Sequence, residues 1–158
     1  MEAFVRWETT SLSTSQSALL HSTVVHIGDL PGRTLGETSG NTIVLDIDAA
    51  GWGWFVDQTP TNNSEFLRLG NQGEQYRMDL LTVVMHELGH VLGRDHDADG
   101  VMAESLAAGV RQTDMEHDQM ALVDQVFSPP VDHHADAWFW ALPDEHLVSR
   151  RLWFKRRR

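Results

Sequence analysis

The sequence contains no cysteine. Disulfides, thiolate metal ligands and thiol nucleophiles are therefore excluded, and any transition-metal site must use His, Asp, Glu or water. Tyrosine occurs once, as Tyr76. No apolar run approaches the roughly 20 residues that cross a bilayer, so membrane insertion is not expected. The opening stretch, "MEAFVRWETTSLSTSQ", lacks the charged-then-apolar pattern of an export signal. Basic residues are scarce, with 12 Lys+Arg against 23 Asp+Glu. Six of the twelve fall in "RRLWFKRRR" at 150–158, leaving residues 1–149 with six basic against 23 acidic side chains, a net of −17. Such a body repels nucleic acid, so no nucleic-acid partner is expected. The basic end suits a polyanion or a membrane surface. It equally suits a disordered terminus, which is the expectation adopted.

What is present suffices for one domain with a real core: 158 residues, 41% hydrophobic and 22% charged. Residues 2–9 read as the last turns of a helix, and 15–20 as a short helix after Ser13 or Ser15. "STVVHIGDL" (22–30) is rich in β-branched residues and reads as a strand. "LPGRTLGETSG" (30–40) is turn material. "NTIVLDID" (41–48) reads as a second strand, and "GWGWFVD" (51–57) as a third strand or hairpin arm. Residues 58–75 form a long polar loop. Asp79 then caps the strongest helix of the chain, "LLTVVMHELGHVL" (80–92), which Gly93 stops. Residues 94–112 are loop. A last helix starts at Thr113 with Glu116 completing a capping box, and carries Met115, Leu122, Val123, Val126 and Phe127 as its apolar stripe. No internal repeat is visible.

The chemistry concentrates in "HELGHVLGRDH", residues 86–96. His86 and His90 are four apart and project from one helix face. Two imidazoles at that spacing grip one zinc ion at roughly 2.0–2.1 Å. Glu87 points about 100° away around the helix, where it reaches a water on the metal as a general base. Gly93 lets the chain turn back without a Cβ clash. Three residues later His96 becomes the third ligand, and the fourth position stays open for water or substrate.

The extended pattern H-E-x-x-H-x-x-G-x-x-H resembles the metzincin zinc peptidases, and most closely their matrixin-like branch. The resemblance implies an α+β fold: a small mixed sheet packed on an active-site helix and a C-terminal helix. It implies a zinc endopeptidase acting on protein or peptide substrates, with His86, His90 and His96 on the metal and Glu87 as catalytic base. "DGVMAES" supplies Met102 as the turn methionine beneath the zinc. "GNTIVLDIDAAGWGWF" (40–55) resembles the strand region that pairs with substrate backbone in that family. The tyrosine that assists the oxyanion in the astacin and serralysin branches has no counterpart, because Tyr76 precedes the motif; zinc and backbone N–H groups are left with that task. The expected boundaries are a catalytic domain at 1–127, incomplete at its N-terminal side, and a basic tail at 128–158. A secreted or cell-surface setting follows from the resemblance, with the chain read as part of a longer bacterial protein.

Two rival patterns overlap the site. Asp95, Asp97, Asp99 and Gly100 form D-x-D-x-D-G, the opening of a calcium loop, yet position twelve is Leu106 where a bidentate acid is needed. A looser structural calcium site at Asp97, Asp99 or Glu104 remains an expectation, and Asp46 or Asp48 either binds such an ion, caps a turn or is solvated. Asp95 and Asp97 flank His96, and His96 is preferred as ligand because its spacing fits and imidazole suits zinc. His21 and His26 are expected to be structural or exposed; His117, His133 and His134 have no partner in view. The non-enzymatic alternative is a metal- or calcium-binding module of a larger surface protein.

Overall fold

The computed structural model describes residues 1–67, 70–115 and, as a backbone strand, 151–156. The helical turns expected at 2–9 are α1, Glu2–Glu8. Ser13 caps α2, Thr14–His21, through a capping box: its hydroxyl accepts from the Gln16 N–H while the Gln16 side chain accepts from the Ser13 N–H. Val24–Gly28 is β1. Thr34–Ser39 forms β2, which corrects the expectation of turn material there. Thr42–Asp46 is β3, and Trp54–Phe55 is β4, far shorter than the strand expected at 51–57. The polar loop contains one helical turn, α3, Ser64–Leu67. Met78–Asp79 is β5 and runs directly into α4, Leu80–Val91. The segment expected as plain loop at 94–112 holds a 3-10 turn, Gly100–Met102, and a strand, β6, Ser105–Ala107. Arg151–Arg156, expected within the disordered tail, forms β7.

Five strands make one sheet in the order β1-β3-β2-β7-β6. β1 runs parallel to β3, and β2 antiparallel to it. β7 runs parallel to β2 and antiparallel to β6. β4 and β5 form a separate parallel pair. β3 is thus an interior strand paired on both sides, so it offers no free edge for the substrate pairing that the resemblance suggested for 40–55; β2 lies against the long helix at the motif. The expected helix from Thr113 does not begin there, since Thr113–Met115 lack helical geometry; its remainder, 116–127, lies outside the described residues.

α4 is buried on nearly all sides, from Leu81 to Val91. A helix apolar all round belongs in the middle of a core. α1 lies across it: the fully buried Trp7 indole donates to the main-chain carbonyl of Met85 at 2.9 Å. Leu20 from α2, Leu35 and Ile43 from the sheet, and Met78, Val101, Met102 and Leu106 complete the same cluster. The start of α4 is tied down by charge. Asp79 accepts from the Thr82 N–H and hydroxyl, and also takes a bidentate pair from Arg111 at 2.9 and 2.8 Å. Arg111 reaches on to Asp57 at 2.7 Å and lies over the Phe66 ring.

Candidate metal centre

α4 delivers His86 and His90 one turn apart, both buried. The helix then ends in two crossed main-chain bonds: Gly93 N–H to His90 C=O at 3.0 Å, and Arg94 N–H to Gly89 C=O at 2.9 Å. Gly93 adopts φ 89°, the left-handed conformation this ending requires. The reversed chain brings His96 back over α4. Its fold is pinned by a bond from Asp97 N–H to Met102 C=O at 2.9 Å and by a bridge between Asp97 and Ala103.

The three imidazoles converge. The Nε2 atom of His90 stands 3.0 Å from that of His86 and 3.2 Å from that of His96. A tetrahedral ion with bonds of roughly 2.0–2.1 Å spaces its ligand atoms about 3.3 Å apart, so the spacing suits a single zinc. The tautomers agree. His86 Nδ1 lies 2.8 Å from the Val101 carbonyl, and His90 Nδ1 lies 2.8 Å from the Arg94 carbonyl. A carbonyl only accepts, so each Nδ1 carries the hydrogen and each neutral ring turns an Nε2 lone pair inward. Facing lone pairs at this distance repel unless a cation lies between them. Burial first, and the neighbouring His90 next, hold His86 down at about 3, so its ring stays neutral at physiological pH.

Glu87 is fully buried and faces β2. The Thr38 hydroxyl lies 2.6 Å from Oε2 and 3.1 Å from the Glu87 main-chain carbonyl. Oε1 is buried with no hydrogen-bond partner among the described residues. It lies against Gly36, where an added Cβ would approach it to 2.6 Å. Burial pushes the Glu87 carboxyl up to about 8; the Thr38 bond pulls the other way and Glu37 adds to the rise. A buried acceptor without a donor is costly. It leaves this carboxylate with room for one further donor.

Met102 packs against α4. Its sulfur lies against Gly89 so closely that a Cβ there would collide with it, and the same Cβ would come within 3.2 Å of Trp7. Gly89, which weakens the helix intrinsically, is what lets Met102 and Trp7 approach α4. Arg94 stacks its guanidinium on Trp7, with the carbon 4.9 Å from the ring centroid.

His21 and His26 are exposed, with His21 pairing Glu8 at 2.9 Å. His117, His133 and His134 lie outside the described residues. Asp46 caps a turn, accepting from the N–H groups of Leu30, Ala50 and Asp48. Burial opposes its charge, but those bonds prevail and hold its carboxyl below the usual range. A cavity of about 290 Å³ opens beyond His96, walled in part by Trp7, Asp95, Asp99 and Asp114, and reaches none of His86, Glu87 or His90. Three contributors escaped the sequence reading: Gly36, Thr38 and Arg111. An isolated glycine between Leu35 and Thr38 was the available signal for the first two.

The class is thus set by an α+β fold and a three-histidine centre built on one helix and its returning chain. The matrixin family model matches residues 6–128, and the chain belongs to the matrixin family of metallopeptidases. Comparison with curated proteins and with solved structures gave no match.

Proposed function

We propose that this chain is a zinc-dependent endopeptidase acting on protein or peptide substrates. The observation that carries the proposal is the convergence of three Nε2 atoms, with the buried Glu87 next in sequence to His86 and one of its acceptors to spare. His86, His90 and His96 would hold the ion. Zinc supplies Lewis acidity toward a carbonyl and brings the pKa of water to near 7. The chain's own groups do the rest. Glu87 accepts the proton of the attacking water and returns it to the leaving amine. Its raised carboxyl ionises readily once a dication stands nearby. Thr38 keeps the carboxylate from swinging away, and Met102 floors the histidine pair. Backbone N–H groups assist the oxyanion in place of a tyrosine. A secreted or cell-surface setting accompanies this reading. So does a structural calcium at Asp97, Asp99 or Glu104.

Elemental analysis of the purified protein and of two variants tests it. One zinc per chain is expected, lost in His90→Ala. Glu87→Ala should keep the zinc and lose about 10²–10⁴-fold in cleavage of a mixed peptide library. Undiminished cleavage by Glu87→Ala would remove that residue from the mechanism. Calcium without zinc would point to a binding module.

A further inference from the structure

β7 stands between two strands that come from a distant part of the chain. β2 and β6 both lie before residue 108, whereas β7 is Arg151–Arg156. Its register runs Thr34↔Trp153, Glu37↔Lys155 and Thr38↔Arg156 on one side. On the other it runs Ser105↔Trp153, Leu106↔Leu152 and Ala107↔Arg151. Without β7, β2 keeps an unpaired edge and β6 loses its strand partner. Between them is a slot one strand wide, with main-chain donors and acceptors on both walls. Such a slot accepts an extended polypeptide.

The slot is also the one beside the metal centre. β2 carries Gly36 and Thr38 against Glu87. β6 begins three residues after Met102. The register slips between Thr34 and Glu37, so β2 bulges at the level of Gly36, where its backbone comes against the Glu87 carboxylate. Paired strands lie about 4.8 Å apart, which puts β7 one strand away from the wall that holds the base. Charge favours the same occupant: a basic segment against a body of net −17, with Lys155 in register with Glu37.

We propose that Arg151–Arg156 is an intramolecular occupant of the substrate slot and that the chain holds itself latent by this strand. The proposal rests on the peptidase reading of the same site. Residues 1–158 contain no cysteine, and strand insertion closes the site without a thiolate. Because the competitor is tethered, it acts at an effective concentration on the order of millimolar and outcompetes dilute substrate.

The test uses the full chain, zinc-loaded, beside full-length Trp153→Pro and Leu152→Pro. Proline in a strand paired on both sides removes a ladder donor and is poorly tolerated. In both variants, amide exchange at 34–39 and 105–107 is expected to quicken at least tenfold, while α4 stays protected. Peptide cleavage should rise at least about tenfold, the change expected when fewer than roughly one wild-type molecule in ten has an open slot. A synthetic peptide of residues 150–157 should restore protection and inhibit the variants competitively. Unchanged exchange at 34–39 would overturn the proposal. So would equal cleavage by wild type and variants. Loss of α4 protection in both variants would also overturn it, because β7 would then be part of the fold and not its occupant. Faster exchange with no cleavage by any zinc-loaded form would leave the strand's occupancy standing and remove the peptidase reading instead.

Discussion

Gly36 has a carboxylate oxygen where its side chain would be. A Cβ there lands 2.6 Å from Glu87 Oε1, and nothing in its backbone conformation forbids alanine. The penalty of Gly36→Ala therefore falls on Glu87, which must move. About 1 Å of misplacement at a catalytic group costs on the order of 10²-fold in rate. Gly36→Ala is expected to lower kcat/KM by at least tenfold with zinc content unchanged, measured by peptide cleavage alongside metal analysis. An equal loss of zinc would show that the damage spreads to the histidines. The histidines themselves were legible at this scale, because a 3.6-residue period and one glycine fix where two rings point and where the third returns. Gly36 and Thr38 were not. Their importance lies in what stands opposite them, and a single sequence does not print tertiary neighbours.

At the scale of elements, α4 is held at its first turn by a charge network that sequence spacing concealed. Arg111 is contributed from 32 positions beyond Asp79 and 54 beyond Asp57. All three side chains are almost wholly buried, at 2%, 0% and 3% exposure. Burial works against the guanidinium charge, yet Asp79 and Asp57 prevail and raise its pKa. Removing one member of a buried network strands the others' charge. Arg111→Ala is expected to cost about 3–5 kcal/mol in urea denaturation. Arg111→Lys should recover little, because an ammonium cannot reproduce the bidentate fork. A loss below about 1 kcal/mol would mean that water replaces the guanidinium. α4 itself was readable from Asp79, the apolar run and Gly93, all local signals. β2 was misread because Pro31, Gly32 and Gly40 flank it and Gly36 interrupts it with turn chemistry, although the two-residue turn that pairs it with β3 was a local hairpin signal. β4 is short for the converse reason: its tryptophan and phenylalanine suit a strand, but among the described residues only Met78–Asp79 lies beside it as a partner.

For the molecule as a whole, the centre sets opposing demands on pH. Glu87 titrates near 8 in the metal-free fold against about 4.5 when unfolded. Its folded value is raised, so the stability it contributes is complete below pH 4.5 and is lost as pH rises through 8. His86 behaves oppositely, falling from 6.5 to about 3, so its contribution is complete above 6.5 and is lost as pH falls toward 3. Between 4.5 and 6.5 the two slopes oppose each other, and above 6.5 only the glutamate acts. Chelated protein is therefore expected to lose about 2 kcal/mol of stability from pH 6.5 to 8, at 1.36 kcal/mol per pH unit. Denaturation at the two pH values measures it, and Glu87→Gln should flatten the slope. Zinc should abolish the loss, because a dication favours the ionised carboxylate. The rings of His86 and His90 are steadied by the carbonyls of Val101 and Arg94, and every residue owns a carbonyl. For the rings alone any residue at those two positions would serve, although Val101 also packs in the core and Arg94 stacks on Trp7; the count of residues between the rings and their supports has no such latitude. In this protein the support of the histidine cluster is written in spacing rather than spelling, so one inserted residue there would do what many replacements could not.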